Sequence, residues 1–330
     1  MKAAFIERTG GPDVIQFGDL PDPTPGPSEV LVRVRACALN PIDTYVRAGT
    51  VAMTLRFPQI VGCDLAGEVV AVGGAVDRFR PGDRVWGSNQ GILGRQGTFA
   101  EFATVEDRWL YPTPAGVSDR IAAASALVGI TAHLGLVRHA GLRAGETLFV
   151  DGGSGGVGSM VVQIAKQLGA HVIATAGSPD RCERVLGYGA EIVIDRTGGG
   201  DLGARVLEAA VAGVDVYWES LREPDFDTAV RVMADGGRMV LMAGRDARPP
   251  FPVGPFYVKG CRLVGFVMFK ASWQEQAAAA ADLNRWMAAG LAAPIAAVMP
   301  LAAAAEAHAL QERGTIARAG GSCGKIVLEP

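Results

Sequence analysis

The most informative stretch of the chain is Leu148-Phe149-Val150-Asp151-Gly152-Gly153-Ser154-Gly155-Gly156-Val157-Gly158. Its glycines fit the pattern G-x-G-x-x-G, a strand-like apolar run precedes them, and apolar residues at helical spacing follow. Glycines let backbone N–H groups approach a pyrophosphate closely, and the helix N-terminus favours its negative charge. The stretch therefore predicts a dinucleotide site, rather than a merely glycine-rich loop. Its predicted contacts are Gly153, Ser154, Gly155, Gly156, Val157 and Gly158.

Six apolar segments, starting about 20–25 residues apart, run through the middle of the chain with helical stretches between them. They are Leu148–Val150, Val172–Ala174, Ile192–Ile194, Val214–Tyr217, Met239–Met242 and Leu263–Phe266. Alternation at this spacing predicts a parallel sheet covered by helices. Six such strands are typical of the doubly wound Rossmann fold, so we predict an α/β protein with a six-stranded parallel sheet.

The chain before this region has a different pattern. Short β-type runs such as Val30–Val34 and Glu68–Val72 alternate with turn clusters, which predicts a β-rich unit. After the last strand of the Rossmann region, helices are predicted around Gln276–Ala289 and Leu301–Leu310. The apolar run Lys325–Leu328 predicts a strand that returns to the first domain. We therefore expect one domain formed by residues 1–124 and 268–330 and a second formed by residues 125–267.

The end of the second Rossmann strand indicates which dinucleotide binds. Sites that prefer NAD place Asp or Glu there to hold the ribose hydroxyls. Here the strand ends in Thr175-Ala176-Gly177-Ser178, and Arg181 follows. Hydroxyl groups can donate hydrogen bonds and a guanidinium can pair with a phosphate, so Thr175, Ser178 and Arg181 predict NADPH. The alternative is that Arg181 is only a solvated helix residue.

Composition and charge narrow the classes of partner. The chain has 330 residues, 49% of them hydrophobic and 20% charged, with a net charge of −3. These values give no electrostatic reason to expect nucleic acid or an anionic membrane as a partner. No apolar run reaches the roughly 20 residues that span a bilayer, and the N-terminus shows no signal-peptide core, so we expect a cytoplasmic protein. The five cysteines form no C-x-x-C pair, which favours reduced thiols.

Further motifs are spread along the chain. They are Gly26–Val32, Asn40–Gly49, Gly62–Val69, Pro81–Val85, Gly97–Glu101, Gly129–Ala132 and the glycine turn. On these motifs the chain resembles the medium-chain dehydrogenase/reductase superfamily over essentially its whole length. The pattern N-x-x-D-T-Y-x-R-x-G at Asn40–Gly49 resembles the zinc-free quinone oxidoreductases, the zeta-crystallin-like branch. The resemblance implies that the β-rich unit is a GroES-like catalytic domain.

The residue types also predict that no metal is bound. Zinc alcohol dehydrogenases of this superfamily carry Cys where this chain has Asn40, and His-Glu where it has Cys63-Asp64. Losing two ligands of a three-ligand site removes the geometry that catalytic zinc needs. The segment Gly87–Phe102 contains no cysteine, so a structural zinc lobe is not expected either.

The resemblance implies a catalytic set of Asn40, Asp43, Tyr45 and Thr131 near the nicotinamide. Asn40 is expected to donate an N–H group to the substrate oxygen, and Tyr45 to stack on a flat ring or donate its hydroxyl. Thr131 is expected to position the nicotinamide or its ribose, and Asp43 to brace its neighbours. Two alternatives stay open: an Asn before Pro often only makes a turn, and the Tyr could belong to the core.

Later strand ends should add cofactor contacts, because ligands bind at the carboxyl ends of the strands in such sheets. The expected residues are Gly244, Arg245, Phe266, Val267 and Met268, and Arg196 stands where a residue could cover the adenine. The chain departs from the family pattern after Gly49, where a second Tyr is common. It also departs at Glu219-Ser220-Leu221-Arg222, where Asp followed by small residues is usual.

These observations favour an NADPH-dependent, zinc-independent reductase that transfers hydride to a quinone or another α,β-unsaturated carbonyl. Without a Lewis acid an alcohol is hard to ionise near neutral pH, whereas a conjugated acceptor needs only hydrogen-bond donors and a proton. An enoyl-thioester or alkenal reductase is one alternative, and a non-catalytic NADPH-binding sensor or structural protein is another. By resemblance we also expect a homodimer, formed through the last Rossmann strand at Arg262–Val267.

Overall fold

The structure is a computed structural model that describes residues 1–315 and 323–330. The described chain divides into two compact units. Unit 1 comprises Met1–Leu127 and Ser272–Pro330, and unit 2 comprises Val128–Ala271. Unit 2 is thus one continuous piece of chain, whereas unit 1 is assembled from two pieces.

Strands and helices alternate regularly in unit 2, whereas several strands follow one another directly in unit 1. The strands are β1 (Lys2–Ile6), β2 (Gln16–Asp19), β3 (Glu29–Leu39), β4 (Gln59–Ile60), β5 (Asp64–Val72), β6 (Arg84–Gly87), β7 (Phe102–Glu106), β8 (Leu110–Pro112), β9 (Thr147–Asp151), β10 (His171–Ala176), β11 (Ile192–Asp195), β12 (Val214–Glu219), β13 (Met233–Leu241), β14 (Arg262–Gly265), β15 (Ile295–Pro300) and β16 (Lys325–Glu329). The helices are α1 (Pro41–Ala48), α2 (Asp119–His133), α3 (Gly156–Gln167), α4 (Pro179–Gly187), α5 (Leu202–Ala209), α6 (Phe226–Val232), α7 (Val253–Val258), α8 (Trp273–Ala288) and α9 (Ala304–Thr315).

Unit 2 contains a six-stranded sheet in the order β11-β10-β9-β12-β13-β14, and each neighbouring pair of strands is parallel. This order is that of the doubly wound dinucleotide fold, so the predicted fold class is confirmed. Leu148, Phe149 and Val150 are consecutive and completely buried, as expected for a central strand covered on both faces. The parallel direction brings the carboxyl ends of all six strands to one edge of the sheet.

Unit 1 contains a seven-stranded sheet whose main path is β15-β16-β3-β5-β6-β8, with β7 also pairing with β3, and a three-stranded sheet β2-β1-β4. The burial pattern of strand β3 differs between its first and second halves. Val30, Val32 and Val34 are buried while Arg33 and Arg35 between them are exposed, which is the alternation of a half-buried strand. From residue 36 every position is buried, so β3 leads into the interior and delivers the start of α1 there.

The apolar helix that begins at Asp119 runs through α2 into a π-helical segment, Leu134–Ala140. By length and composition alone this 22-residue stretch could cross a membrane, so the expectation that no run is apolar enough was too narrow. Of its most apolar window, 78% is buried inside the protein itself, which is the property of a core helix.

Candidate active site

The glycine turn of unit 2 joins β9 to α3, and each glycine has a different surrounding. A Cβ on Gly158 would collide with the carbonyl oxygen of Gly152, and a Cβ on Gly153 would come within 2.9 Å of the Ala174 Cβ. These two glycines are therefore required by packing. Gly155 is exposed, and a Cβ there would meet nothing closer than 3.5 Å, so its small size leaves an open surface above the turn.

Backbone hydrogen bonds fix this turn to the end of β10. The N–H group of Gly153 donates to the Thr175 carbonyl oxygen at 2.9 Å, and the N–H group of Gly152 donates to Thr175 Oγ1 at 2.9 Å. Helix α3 begins at Gly156 with Gly155 as its N-cap. Because the first N–H groups of a helix lack intrahelical partners, an open glycine cradle at this position fits a pyrophosphate group.

The end of β10 carries the predicted NADPH residues. Ser178 caps α4, and its Oγ accepts from the Arg181 N–H group at 3.4 Å. The Arg181 side chain turns back over the strand end, with Nη1 3.9 Å from the point that a Cβ on Gly177 would occupy. Asp180 is exposed in the first turn of α4.

In the structure the Thr175 hydroxyl bonds to other residues of unit 2, whereas the sequence predicted a contact with the cofactor. Thr175 is completely buried, and its hydroxyl donates to Asp151 Oδ1 at 2.6 Å while accepting from Gly152. The hydroxyl hydrogen is therefore used inside the protein. Thr175 holds the glycine turn in place and does not offer its hydroxyl to a ribose.

Asp151 ends β9 and ties neighbouring segments together. Its Oδ2 accepts from Arg196 Nη2 at 3.0 Å and from the Tyr217 hydroxyl at 3.4 Å, in addition to the Thr175 bond on Oδ1. Burial raises the pKa of Asp151, and the Arg196 guanidinium opposes that rise. The Arg196 guanidinium thus reaches across β10 to the base of the glycine turn, and its role as an adenine cover stays a prediction.

A second acid, Glu219, ends β12 directly opposite Asp151 in the strand register. Its side chain is completely buried, and Oε1 accepts from the Leu221 N–H group at 2.6 Å. Burial, with the Asp151 charge as the next cause, raises the pKa of Glu219 to about 8. Glu219 is therefore largely a neutral carboxylic acid at neutral pH.

The remaining predicted cofactor residues lie at later strand ends of the same sheet. Gly244 follows β13 with a φ of 77°, and a Cβ there would come within 2.8 Å of the Arg222 carbonyl oxygen. Arg245 comes next in the chain. Phe266 follows β14 and stacks on His139 with ring centroids 4.4 Å apart, whereas Val267 is exposed and Met268 is buried.

The predicted catalytic residues of unit 1 lie at the start of α1, in a buried cluster of polar side chains. The Asn40 N–H group donates to Asp43 Oδ2 at 2.7 Å. The side-chain amide of Asn40 donates to Asp64 Oδ2 at 2.8 Å and to the Ala38 carbonyl oxygen at 3.2 Å. Both amide hydrogens are thus donated inside the protein. The expected N–H donation from Asn40 to a substrate is not what this arrangement offers; Asn40 holds the cluster together instead.

A lysine completes the cluster of unit 1. Lys325 lies on β16 and is 3% exposed, and its ammonium donates to Asn40 Oδ1 and lies 3.8 Å from Asp64 Oδ2. Ser88 Oγ donates to Asp64 Oδ1 at 2.6 Å. Burial lowers the pKa of Lys325, but the neighbouring Asp64 carboxylate opposes that change.

Burial also governs the other ionisable groups of this cluster. It raises the pKa of Asp43 to about 7, although a hydrogen bond with Cys63 works in the opposite direction. It raises the pKa of the Cys63 thiol well above its usual range, so this thiol stays protonated. The space beside Asp43, lined by Val46, Gln59 and neighbouring residues, is too small to admit a water molecule.

The other two predicted catalytic residues are placed on helices. Tyr45 lies one turn into α1 and is half-buried, and Thr131 is 3% exposed near the end of α2. Tyr45 belongs to unit 1 with Asn40 and Asp43, and Thr131 belongs to unit 2.

Comparison with known proteins agrees with this geometry. The profile of the alcohol dehydrogenase GroES-like domain matches residues 26–115, and that of zinc-binding dehydrogenases matches residues 156–283. Quinone oxidoreductase from Sus scrofa is 32% identical over 332 residues, which cover 99% of this chain and 97% of that protein. A solved NAD-dependent alcohol dehydrogenase has a TM-score of 0.90 at 31% identity, and Escherichia coli quinone oxidoreductase complexed with NADPH has 0.85 at 27%; each pair is covered to 100%.

The chain belongs to the quinone oxidoreductase branch of the medium-chain dehydrogenase/reductase superfamily. As a quinone oxidoreductase homologue it is an oxidoreductase enzyme. Unit 1 carries the GroES-like part and unit 2 the Rossmann part, as the motifs predict.

The donor set of this quinone oxidoreductase homologue does not fit a catalytic zinc ion. Cys63 is a protonated thiol, both oxygens of Asp64 accept hydrogen bonds, and the Asn40 amide is fully engaged. The Lys325 ammonium supplies a positive charge among these residues. Over residues 1–315 and 323–330, no group of three or more His, Cys, Asp and Glu side chains is arranged to hold a metal ion.

Three residues of the two clusters, Asp151 and Glu219 in unit 2 and Lys325 in unit 1, were not singled out by the sequence. Asp151 stands directly before the glycine turn, Glu219 was noted only as a departure from the family pattern, and Lys325 was noted only as part of an apolar run. The available signal was an ionisable residue inside an otherwise apolar strand pattern, since charged residues are seldom fully buried without a partner.

Proposed function

We propose that this protein is an NADPH-dependent, zinc-independent reductase that transfers hydride to a quinone or another α,β-unsaturated carbonyl. The observation that carries the proposal is the end of β10, where Arg181 turns back over Gly177 and no acidic residue occupies positions 175–178. A guanidinium at this place can pair with the 2′-phosphate of NADPH, whereas NAD sites use a carboxylate there.

The residues of this chain suit a conjugated acceptor better than an alcohol. The glycine turn binds the pyrophosphate, and a bound NADPH supplies the hydride. The family resemblance assigns Tyr45 to stack on a flat acceptor or donate its hydroxyl, and Thr131 to position the nicotinamide. Asn40 holds Asp43, Asp64 and Lys325 in place, so it acts as a positioning residue. Hydride addition to an enone or quinone needs no Lewis acid, only hydrogen-bond donors and a proton.

The experiment follows loss of NADPH absorbance on EDTA-treated protein with a benzoquinone, an alkenal, crotonyl-CoA and a simple ketone, repeated with NADH. Turnover of quinones or alkenals with NADPH, unaffected by chelation, is expected. Preference for crotonyl-CoA would favour an enoyl-thioester reductase. Tight NADPH binding without turnover of any acceptor would favour the non-catalytic alternative, and activity confined to ketones or lost on chelation would contradict the proposal.

Cofactor preference has its own variant. Arg181→Ala should weaken NADPH binding about 10-fold to 100-fold and leave NADH binding nearly unchanged, because a charge-assisted pair with the 2′-phosphate is lost. Arg184→Ala is the matched control, since Arg184 is an exposed residue on the same helix. Equal effects of the two variants on NADPH affinity would remove Arg181 from the site.

We also infer a homodimer formed through β14. This strand pairs with β13 on one side and stands at the edge of the sheet in the described chain. Leu263 and Val267 are exposed there, and α7 exposes Val253, Tyr257 and Val258 nearby in the sequence. An apolar edge strand left uncovered is a pairing site. Sedimentation of the intact protein should give twice the chain mass, and Leu263→Arg should shift it towards the monomer; a monomeric wild type would refute the dimer.

A further inference from the structure

Glu219 has an oxygen atom that the fold leaves unused. Oε1 accepts from Leu221, but Oε2 is buried without a hydrogen-bond partner anywhere in residues 1–315 and 323–330. Buried polar atoms are almost always paired, because an unpaired one costs free energy comparable to a lost hydrogen bond. An unused polar atom at a ligand site therefore points to a partner that arrives with the ligand.

The surroundings of Glu219 favour its neutral form. Asp151 faces it from β9 and Asp225 from the segment before α6, and both carboxylates disfavour a further negative charge. Arg196 is the cation on this side, and its side chain is 38% exposed and bonded to Asp151. Tyr217 on the same strand donates to Asp151, and the β13 neighbour in register is the apolar Leu241.

Glu219 also lies next to the glycine turn. The following residue, Ser220, donates from Oγ to the Asp151 carbonyl oxygen at 2.5 Å, and a Cβ on Gly152 would come within 2.7 Å of that Oγ. The strand end that carries Glu219 therefore packs against the first residue of the turn. A pyrophosphate bound there adds negative charge close to two buried acids.

We propose that Glu219 is a hydrogen-bond donor of the dinucleotide site, carried as a protonated carboxyl, and that dinucleotide binding is accompanied by proton uptake at this group. The proposal rests on binding of a dinucleotide at the glycine turn. It depends neither on the identity of the acceptor nor on the preference for NADPH, because the pyrophosphate is common to both cofactors.

The expected size of the proton uptake follows from the linkage between protonation of Glu219 and dinucleotide binding. Glu219 is half-protonated at about pH 8 in the unbound protein, and added negative charge raises its pKa further. A rise of about one pKa unit corresponds to uptake of about 0.4 proton per dinucleotide at about pH 8. The same rise makes the dissociation constant increase about fivefold between about pH 7 and pH 9.

The test is titration calorimetry of the whole protein with NADP⁺ and with NAD⁺, in buffers that differ in ionisation enthalpy. The dependence of the heat on the buffer gives the number of protons taken up. We expect uptake that peaks between about pH 8 and 9 and is similar for both dinucleotides. NAD⁺ has no 2′-phosphate, so that group cannot be its source. No uptake, proton release, or uptake with NADP⁺ alone would overturn the proposal.

Glu219→Gln sharpens the test, because an amide keeps a donor but cannot take up a proton. This variant should bind within about threefold of wild type at about pH 7 and lose both the proton uptake and the decline in affinity towards pH 9. Glu208→Gln, an exposed acid on α5 of the same unit, should behave as wild type. Undiminished proton uptake in Glu219→Gln would assign the proton to another group and overturn the proposal.

Asp151→Asn gives a prediction of the opposite kind. Removal of the neighbouring carboxylate lowers the pKa of Glu219, so the peak of proton uptake should move to lower pH than in wild type. A peak that stays in place would contradict the pairing of the two acids. If the protein binds dinucleotide but reduces no acceptor, the proposed reaction fails while this inference is still decided by the binding data.

Discussion

The two units each bury a pair of carboxyl groups, and they neutralise them in different ways. In unit 1 the acids Asp43 and Asp64 share the interior with the ammonium of Lys325, and all three are almost completely buried. In unit 2 the acids Asp151 and Glu219 are equally buried, but their cation, Arg196, stands at the surface. Unit 1 thus carries its counter-charge inside the fold, whereas the counter-charge of unit 2 is a partly exposed guanidinium. In each unit burial also raises the pKa of one acid, that of Asp43 to about 7 and that of Glu219 to about 8.

This difference separates a structural role from a ligand-responsive one. A buried lysine cannot leave without exposing two acids to an apolar interior, so the unit 1 cluster should be insensitive to ligands. A protonated acid and a surface arginine can both respond when a charged ligand arrives. The cluster that should change its charge on binding is therefore the one beneath the glycine turn.

The largest effect should come from Lys325→Met, which removes the buried cation of unit 1. Breaking a buried ion pair by removing one partner costs about 3 to 5 kcal/mol, because the other charge is left uncompensated. Urea unfolding should show a loss in this range near neutral pH. The double variant Lys325→Met/Asp64→Asn should regain part of it, and Lys2→Met, which removes an exposed pair with Asp19, should change the midpoint little.

The next effect concerns the pH dependence of unit 2. The folded-state pKa of Glu219, about 8, lies above its ordinary value of 4.5. Its contribution to stability is therefore fully present below pH 4.5 and is lost as the pH rises through 8, at about 1.4 kcal/mol per pH unit. Glu219→Gln removes this loss, so its stability relative to wild type should increase from about pH 5 to pH 8 and then level off. A difference that is constant over this range would show that Glu219 is ionised in the folded protein.

The stability of Asp43→Asn relative to wild type should also increase with pH, but it should level off at a lower pH than that of Glu219→Gln. The folded-state pKa of Asp43 is about 7, against an ordinary value of 3.8, so its contribution is lost between these values. The variant should gain on wild type by about 1.4 kcal/mol per pH unit up to about pH 7 and no further. Thermal denaturation at closely spaced pH values can distinguish the pH at which each stability difference levels off. If both differences levelled off at the same pH, the two units would not differ in this respect.

The smallest effect should come from Arg196→Met. Its guanidinium is partly exposed, and Asp151 can take up a proton when the cation is lost, so we expect a cost of about 1 kcal/mol in urea unfolding. This cost should be well below that of Lys325→Met. Equal costs would mean that the cation of unit 2 is as essential to its fold as the one in unit 1.

The parts of the fold that depend on local pattern could be predicted from the sequence. Apolar segments at regular spacing predict the Rossmann sheet, and the glycine spacing predicts the turn that Gly153 and Gly158 make necessary. Boundaries were less accurate where capping or a bulge intervenes. Helix α8 begins at Trp273 because Ser272 and Glu275 form a capping box. Strand β13 begins at Met233, before its apolar run. Its pairing with β12 contains an irregularity that accommodates the exposed residues Asp235 and Gly236 within the strand.

The parts of the site that depend on long-range pairing could not be predicted. The ammonium of Lys325 meets Asn40 across 285 positions of the chain, and no local pattern specifies that contact. For the same reason the sequence did not show that the side-chain N–H groups of Asn40 and the hydroxyl hydrogen of Thr175 are donated within the protein, among others to Asp64 and Asp151, which only the fold brings near. Their residue types indicated polar chemistry, but their partners were decided by sheet topology.

The position of Lys325 on β16 also bears on the order in which the protein is made. On the ribosome, Asn40 and Asp64 are synthesised roughly 15 to 60 s before Lys325, at about 5 to 20 residues per second over 285 positions. Unit 2 is complete within that interval, while unit 1 still lacks its internal cation and β16, the last of the strands that pair with β3. Nascent chains that stop at Gly290 should therefore resist protease across unit 2 and be cleaved within unit 1. The pairing of β16 with β3 is then the last step in the folding of unit 1.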